Sequence, residues 1–255
     1  MEETNTIKFE ENGQIGIVTL NRPELSNAIN LEMLNDIAYQ IQTWEYDEKI
    51  RAIVIKGSDS VFAAGIDIQE LSQELTQQSL ALKAWKDEFA KIANCTKPLI
   101  ATVSGYALGI GCDLALACDI ILASDSAQFG YPETSIGLIP AFGGCSKLLQ
   151  TIGRAKTMEA ILTGKAISAH EASSCGLISR VVPLEDLHNE SLRVANRIAS
   201  LPYLATMQAK ETICQIEDML LRNGLELESK SCRLSLNTDE FRQILEQYAQ
   251  KNQGI

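Results

Sequence analysis

Residues 105–117 run Gly-Tyr-Ala-Leu-Gly-Ile-Gly-Cys-Asp-Leu-Ala-Leu-Ala, three glycines leading into an apolar stretch whose single charge is Asp113. The glycines do not have the G-x-G-x-x-G spacing of a dinucleotide loop. Glycine ahead of a helix lets a ligand approach the backbone, and a helix start carries unpaired N–H donors and a partial positive charge. That combination suits a developing oxyanion. It equally suits close packing of a helix on a strand, and composition leaves both readings open.

Outward from this stretch, short β-like runs alternate with helical ones. Pro98 to Val103 (PLIATV) precedes it as a buried strand, and Gly109 to Cys118 forms a short helix leading into a strand over Asp119 to Ala123. Arg51 to Lys56 (RAIVIK) is a further buried strand, and a helix is expected over roughly 80–94. Asn30 can cap a helix to about Trp44, with Met33, Leu34, Ile37 and Ile41 on one face. Thr6–Phe9 and Ile15–Leu20 flank Asn12-Gly13, a hairpin signal. Strands separated by helices predict parallel pairing with right-handed crossovers. Beyond about Gly143 the pattern is almost wholly helical, with amphipathic stretches near 184–200, 203–221 and 224–250. Those helices are too apolar to stand free in water and are expected to pack on the core or on another subunit. The expected division is a core over 1–195 and a C-terminal helical region over 196–255.

Charge narrows the partners. The 255 residues carry a net charge of −11, which repels nucleic acid and anionic membrane surfaces. A phosphate-bearing ligand would need local basic residues or backbone amides. The seven cysteines have no CxxC spacing and are expected to be reduced and buried, in a cytoplasmic protein. The N-terminal MEETNTIKFEEN resembles neither a secretory signal nor an Arg-rich transit peptide, and no run of 18 apolar residues occurs.

Two isolated carboxylates stand out, 20 residues apart: Asp113, and Glu133 in Phe129-Gly130-Tyr131-Pro132-Glu133. An Asp near a helix start either caps the helix or is placed for proton transfer. Glu133, after Pro132, has no evident structural duty. A third small-residue segment, Phe62-Ala63-Ala64-Gly65-Ile66-Asp67-Ile68, joins these two.

The segments together resemble the crotonases, the enoyl-CoA hydratases and isomerases. Asn21-Arg22-Pro23 with Asn27-Ala28 is similar to the N-terminal signature of that family. FAAGIDI, GYALGIGCDLALACD and FGYPETSIGLIPAFGG are similar to its three core motifs, in order. Gly164-Lys165, Ala169 to Ala172, Gly176-Leu177 and Val181 to Pro183 are similar to its later stretch. The resemblance implies an α/β fold of crotonase type, a spiral core of ββα repeats with a helical C-terminal trimerisation region. It implies an acyl-CoA thioester substrate, no cofactor other than the coenzyme A of that substrate, no metal, and a homotrimer or dimer of trimers. By the same resemblance the amides of Ile66 and Ile110 form an oxyanion hole, and Arg22, Ala64, Ile66 and Asp67 contact coenzyme A.

Hydratases of the family use two glutamates on one water. Glu133 matches the second and Asp113 stands at the first, with a reach shorter by one methylene, about 1.5 Å. Reach alone predicts that Asp113→Glu raises hydration. The implied activity is hydration of a trans-2-enoyl-CoA. The alternatives are a double-bond isomerase using Glu133 as sole base, and a non-catalytic acyl-CoA-binding protein. Dienoyl isomerases carry an Asp at the position of Asp113 but a second one at that of Ala141, which disfavours that subtype. Glu24 and Gln69 stand where hydratases often carry lysines. His170 and His188, Cys112, Trp44 and Trp85 fit packing or surface roles, with Trp85 also placed to line an acyl tunnel. Asp67 fits loop fixing better than reaction.

Overall fold

The computed structural model describes residues 6–68, 70, 81–136 and 138–217. Asn12-Gly13 does produce a hairpin, with its tip one residue later than the sequence suggests. β1 (Ile7–Asn12) and β2 (Ile15–Leu20) pair antiparallel with Asn12 opposite Ile15. Gly13, at φ +61°, therefore stands first in a two-residue turn, where a left-handed residue is required.

β2 begins a sheet in the order β1-β2-β3-β5-β7-β10, in which β3 is Ala52–Lys56, β5 Leu99–Val103, β7 Ile120–Ser124 and β10 Arg180–Val182. Every pair after the hairpin is parallel. These strands are apolar on both sides because both sides are covered. Ile53, Ile55, Leu99 and Ala101 face the main core with helix α1 (Leu31–Tyr46). Ala52, Val54 and Ile100 face the opposite way, against Ala195. The expected N-cap is present, the Asn30 side chain accepting from the Met33 N–H at 2.9 Å.

A second sheet, β4-β6-β8-β9, is built from strands too short to announce themselves: Val61–Ala63, Tyr106–Leu108, Gln128–Gly130 and Ile167–Ser168. The resulting repeat has one strand in the large sheet, the next in the small sheet, then a helix. It occurs as β3-β4 before α2 (Ala81–Ala93), and as β5-β6 before α3 (Ile110–Leu116). A third copy runs β7-β8 into a 3-10 turn (Pro132–Ile136) and then α4 (Gly144–Thr163). Each passage from small-sheet strand to helix faces the same region, and the candidate site lies there.

Beyond Gly143 the chain is not wholly helical, since β9 and β10 bracket α5 (Ala169–Ser174). The expected boundary between 195 and 196 falls inside α6 (Leu184–Ala199), in which Ala195 and Ile198 both cover the large sheet. α7 (Tyr203–Glu217) is tied back by Lys210, whose ammonium pairs with Asp119 at 2.7 Å and donates to the Lys97 carbonyl at 2.8 Å. The expected helix over 224–250, with Cys232, lies outside the described residues. Trp44 and Trp85 are buried core residues. The six described cysteines are free, but Cys145 and Cys214 are exposed on this chain rather than buried. Among the described residues no helix is long and apolar enough to cross a membrane.

Candidate active site

The loop after β4 carries the first expected donor. Ile29 donates its N–H to the Gly65 carbonyl and accepts from the Asp67 N–H, both at 2.8 Å. In such a parallel bridge the intervening residue turns its own N–H to the far side, so that of Ile66 points away from Ile29. The second donor sits at the start of α3. Gly109, at φ +52°, is the N-cap, held by its N–H to the Gly130 carbonyl at 2.9 Å. Ile110 is the first helical residue, and its N–H has no acceptor within the helix. Among the described residues no backbone carbonyl accepts from either Ile66 or Ile110.

The two loops meet. A Cβ built on Gly109 would stand 3.6 Å from the Gly65 Cα and 3.2 Å from the carboxyl carbon of Glu133. The residues preceding both donors therefore share one small volume with the Glu133 carboxyl. Gly111 serves the packing role left open by the sequence, since a Cβ there would lie 2.6 Å from the Ala63 Cβ. The glycines thus do both things, at different positions.

Glu133 lies on the 3-10 turn, half-buried, and forms no ion pair among the described residues. Its Oε2 is buried without a hydrogen-bond partner there. Burial raises its pKa above the usual carboxylate range, partly offset by its own backbone N–H.

Asp113 does not cap its helix. Its backbone N–H donates to the Gly109 carbonyl, while its side chain accepts from the Tyr131 hydroxyl through Oδ1 at 2.9 Å. Its Oδ2 is buried and without a partner among the described residues. Burial pushes the carboxyl up to about 7 against the Tyr131 hydrogen bond; the Glu133 charge adds to the rise, and the Gly144 amide offsets part of it. Asp113 also lines a cavity of about 630 Å³ with Phe89, Leu116, Phe142 and Leu177.

Four buried side-chain oxygens lack partners among the described residues, and two of them are Asp113 Oδ2 and Glu133 Oε2. Buried polar atoms are nearly always paired, so two orphans on neighbouring acids mark a place for a ligand or water.

The two charged residues expected at coenzyme A are found paired with each other. Arg22 Nη1 meets Asp67 Oδ2 at 2.8 Å and also donates to the Ala28 carbonyl at 3.0 Å. Asp67 fixes the loop carrying Ile66, and the Arg22 charge is compensated. Ala64 is exposed beside them. His170 and His188 are exposed on α5 and α6, in no catalytic constellation. Sequence reasoning assigned no role to Tyr131, which is fully buried with its hydroxyl on Asp113. The available signal was a tyrosine among apolar residues, whose hydroxyl needs a partner once buried.

A core of two sheets built from repeated ββα units is the crotonase fold. It matches an enoyl-CoA hydratase structure from Bacillus anthracis with a TM-score of 0.90, at 29% identity over 97% of each chain. The chain belongs to the enoyl-CoA hydratase/isomerase family, whose model matches residues 10–254, and is an enzyme of the crotonase superfamily. It is 38% identical over 249 residues to a probable enoyl-CoA hydratase of Rhizobium meliloti (strain 1021), covering 98% of this chain and 96% of that one. A probable enoyl-CoA hydratase of Mycobacterium leprae (strain TN) is 40% identical over 236 residues, with 92% and 91% covered. The mitochondrial enoyl-CoA hydratase of Pongo abelii is 36% identical over 247 residues, with 97% and 85% covered.

Proposed function

We propose that this enzyme hydrates trans-2-enoyl-CoA thioesters. The observation that carries the reading is the pair of buried, partnerless oxygens, Asp113 Oδ2 and Glu133 Oε2, which provide two acceptors for one water. The water oxygen bonds to C3 of the acyl group and a proton goes to C2, so the product is a 3-hydroxyacyl-CoA. Attack at C3 sends negative charge to the thioester oxygen, where the amides of Ile66 and Ile110 receive it. Losing one such donor typically costs ~10²–10³ in rate. Glu133 is the principal acid/base, because burial raises its pKa from the ordinary carboxylate value and its Oε2 is free to take and return a proton. Asp113 is its partner on the water.

The Arg22–Asp67 pair holds the donor loop, and Ala64 and Ile66 offer backbone to the adenine of coenzyme A. Because the Arg22 charge is compensated, the phosphates draw on other basic groups. No cofactor beyond the coenzyme A of the substrate is required. Exposed Leu149, Met158 and Leu162 on α4 fit burial in a homotrimer or dimer of trimers. Free cysteines fit a cytoplasmic setting.

The isomerase reading draws on the burial of Asp113, which pushes its carboxyl up to about 7; a protonated Asp113 would leave Glu133 as the sole base. Crotonyl-CoA separates the two. Loss of enoyl-thioester absorbance, abolished in Glu133→Gln with coenzyme A ester binding retained, is the expected result. No loss in the wild type, with a gain of absorbance from a 3-enoyl-CoA, would replace hydration by isomerisation. Tight ester binding with no turnover of either would leave a binding protein.

A further inference from the structure

The hydration reading leaves Asp113 with a problem of placement. A short side chain must present one oxygen to a water while its other oxygen stays occupied. Tyr131 addresses this from two residues before Glu133 in the chain. Its hydroxyl is the only side-chain donor to the Asp113 carboxylate among the described residues. The ring cannot drift. It is fully buried, and a Cβ on Gly144 would stand 2.5 Å from its hydroxyl oxygen, so the first residue of α4 is backed directly against it. One stretch of chain, from Tyr131 to Glu133, thus sets one acid covalently and the other by hydrogen bond.

Resting on the hydratase reading of this site, we propose that Tyr131 is a positioning residue: it clamps Asp113 Oδ1 so that Oδ2 stays free for the water. The groups around Asp113 make the clamp consequential. They are Glu133 on the 3-10 turn, Cys112 on α3, and the Gly144 amide and Cys145 on α4. None of these side chains is a cation, and Lys147 and Lys210, which line the same cavity, are paired with Glu217 and Asp119. Only hydrogen-bond donors favour the ionised Asp113, and Tyr131 is the stronger of the two, ahead of the Gly144 amide. Removing a donor that only satisfied the tyrosine would shift the Asp113 titration and leave the plateau of kcat unchanged; removing a clamp lowers that plateau as well.

The experiment compares Tyr131→Phe, Asp113→Asn and the double variant on crotonyl-CoA across pH, with a ¹³C-carboxyl titration of Asp113 by NMR. Tyr131→Phe is expected to leave KM within about twofold and to lower kcat by roughly 10- to 100-fold, the scale of a misplaced group. The Asp113 titration, and the acid limb of kcat with it, should move to higher pH, since a donor to the ionised form has been removed. In the Asp113→Asn background the same change should add almost nothing. Site-specific 3-fluorotyrosine at 131 keeps the ring shape and donates more strongly, so it should move both quantities to lower pH. An Asp113 titration unmoved in both variants, a kcat plateau unchanged in Tyr131→Phe, or losses that multiply in the double variant, would overturn the clamp. The NMR titration needs no turnover, so a wild type inactive on crotonyl-CoA would count against the hydratase reading, while the Tyr131 hold on Asp113 would stand or fall on the titration itself.

Discussion

A carboxyl buried beside another carboxyl, with no cation to offset it, holds its proton late, and Asp113 does so to about 7. The folded state binds more protons than the unfolded chain between the unfolded value of 3.8 and about 7. Stability from this group is therefore undiminished at low pH and falls as pH rises through that window, by on the order of a few kcal/mol. Asp113→Asn should raise the melting temperature at pH 8 by more than at pH 5 while losing turnover. Equal shifts at both pH values would contradict the burial argument. Asp113→Glu tests position against reach. Reach alone predicts faster hydration, but the extra methylene would drive the carboxyl past the Tyr131 hydroxyl in a site where Asp113 is 4% exposed. The expected outcome in steady-state kinetics is a lower kcat. Gly109→Ala places a methyl against the Glu133 carboxyl at a backbone φ of +52° that alanine resists. It should cost at least about 100-fold in kcat/KM on crotonyl-CoA. At this scale Glu133 was legible because a charge in an uncharged loop lacks a structural duty. Tyr131 was not, because its duty is defined by Asp113, 18 positions earlier, and only folding brings them together.

Among the elements, α1 shows what local sequence can specify. Asn30 supplies the cap, and Met33, Leu34, Ile37 and Ile41 all face the core as their spacing requires. Asn30→Ala should lower stability by about 1 kcal/mol in urea unfolding, with kcat unchanged. The strands of the large sheet were equally legible, because five-residue runs such as AIVIK and LIATV are apolar throughout. The three-residue strands β4, β6 and β8 were not. Three residues do not sample a period of two well enough to register, and their strand identity comes from pairing with segments more than 20 residues away. β9 and β10 were absorbed into an apparently helical region for the same reason. The small-sheet strands β4, β6 and β8 nevertheless set the position of the loops in the site.

For the whole molecule, the sheet defines where the core ends. Ala195, with Ile198 packed beside it, covers Ile15, Val54 and Ile100. A chain cut after residue 195 should lose cooperative unfolding relative to one cut after 200, as followed by circular dichroism. Light scattering of the full chain should give the mass of a trimer or a multiple of it; a monomer would leave the apolar face of α4 without its expected cover. The sequence by itself determined the alternation of elements, the acidic surface, both carboxylates and the two loops bearing the donors. Each depends on residue identity within a short window. Tertiary structure alone decided which atoms of those residues are free. It turned the Ile66 amide away from Ile29, spent Arg22 on Asp67, took one oxygen of Asp113 for Tyr131, and left Asp113 Oδ2 and Glu133 Oε2 without partners. The reason is that hydrogen-bond satisfaction is settled by groups distant along the chain, whose arrival no local pattern encodes.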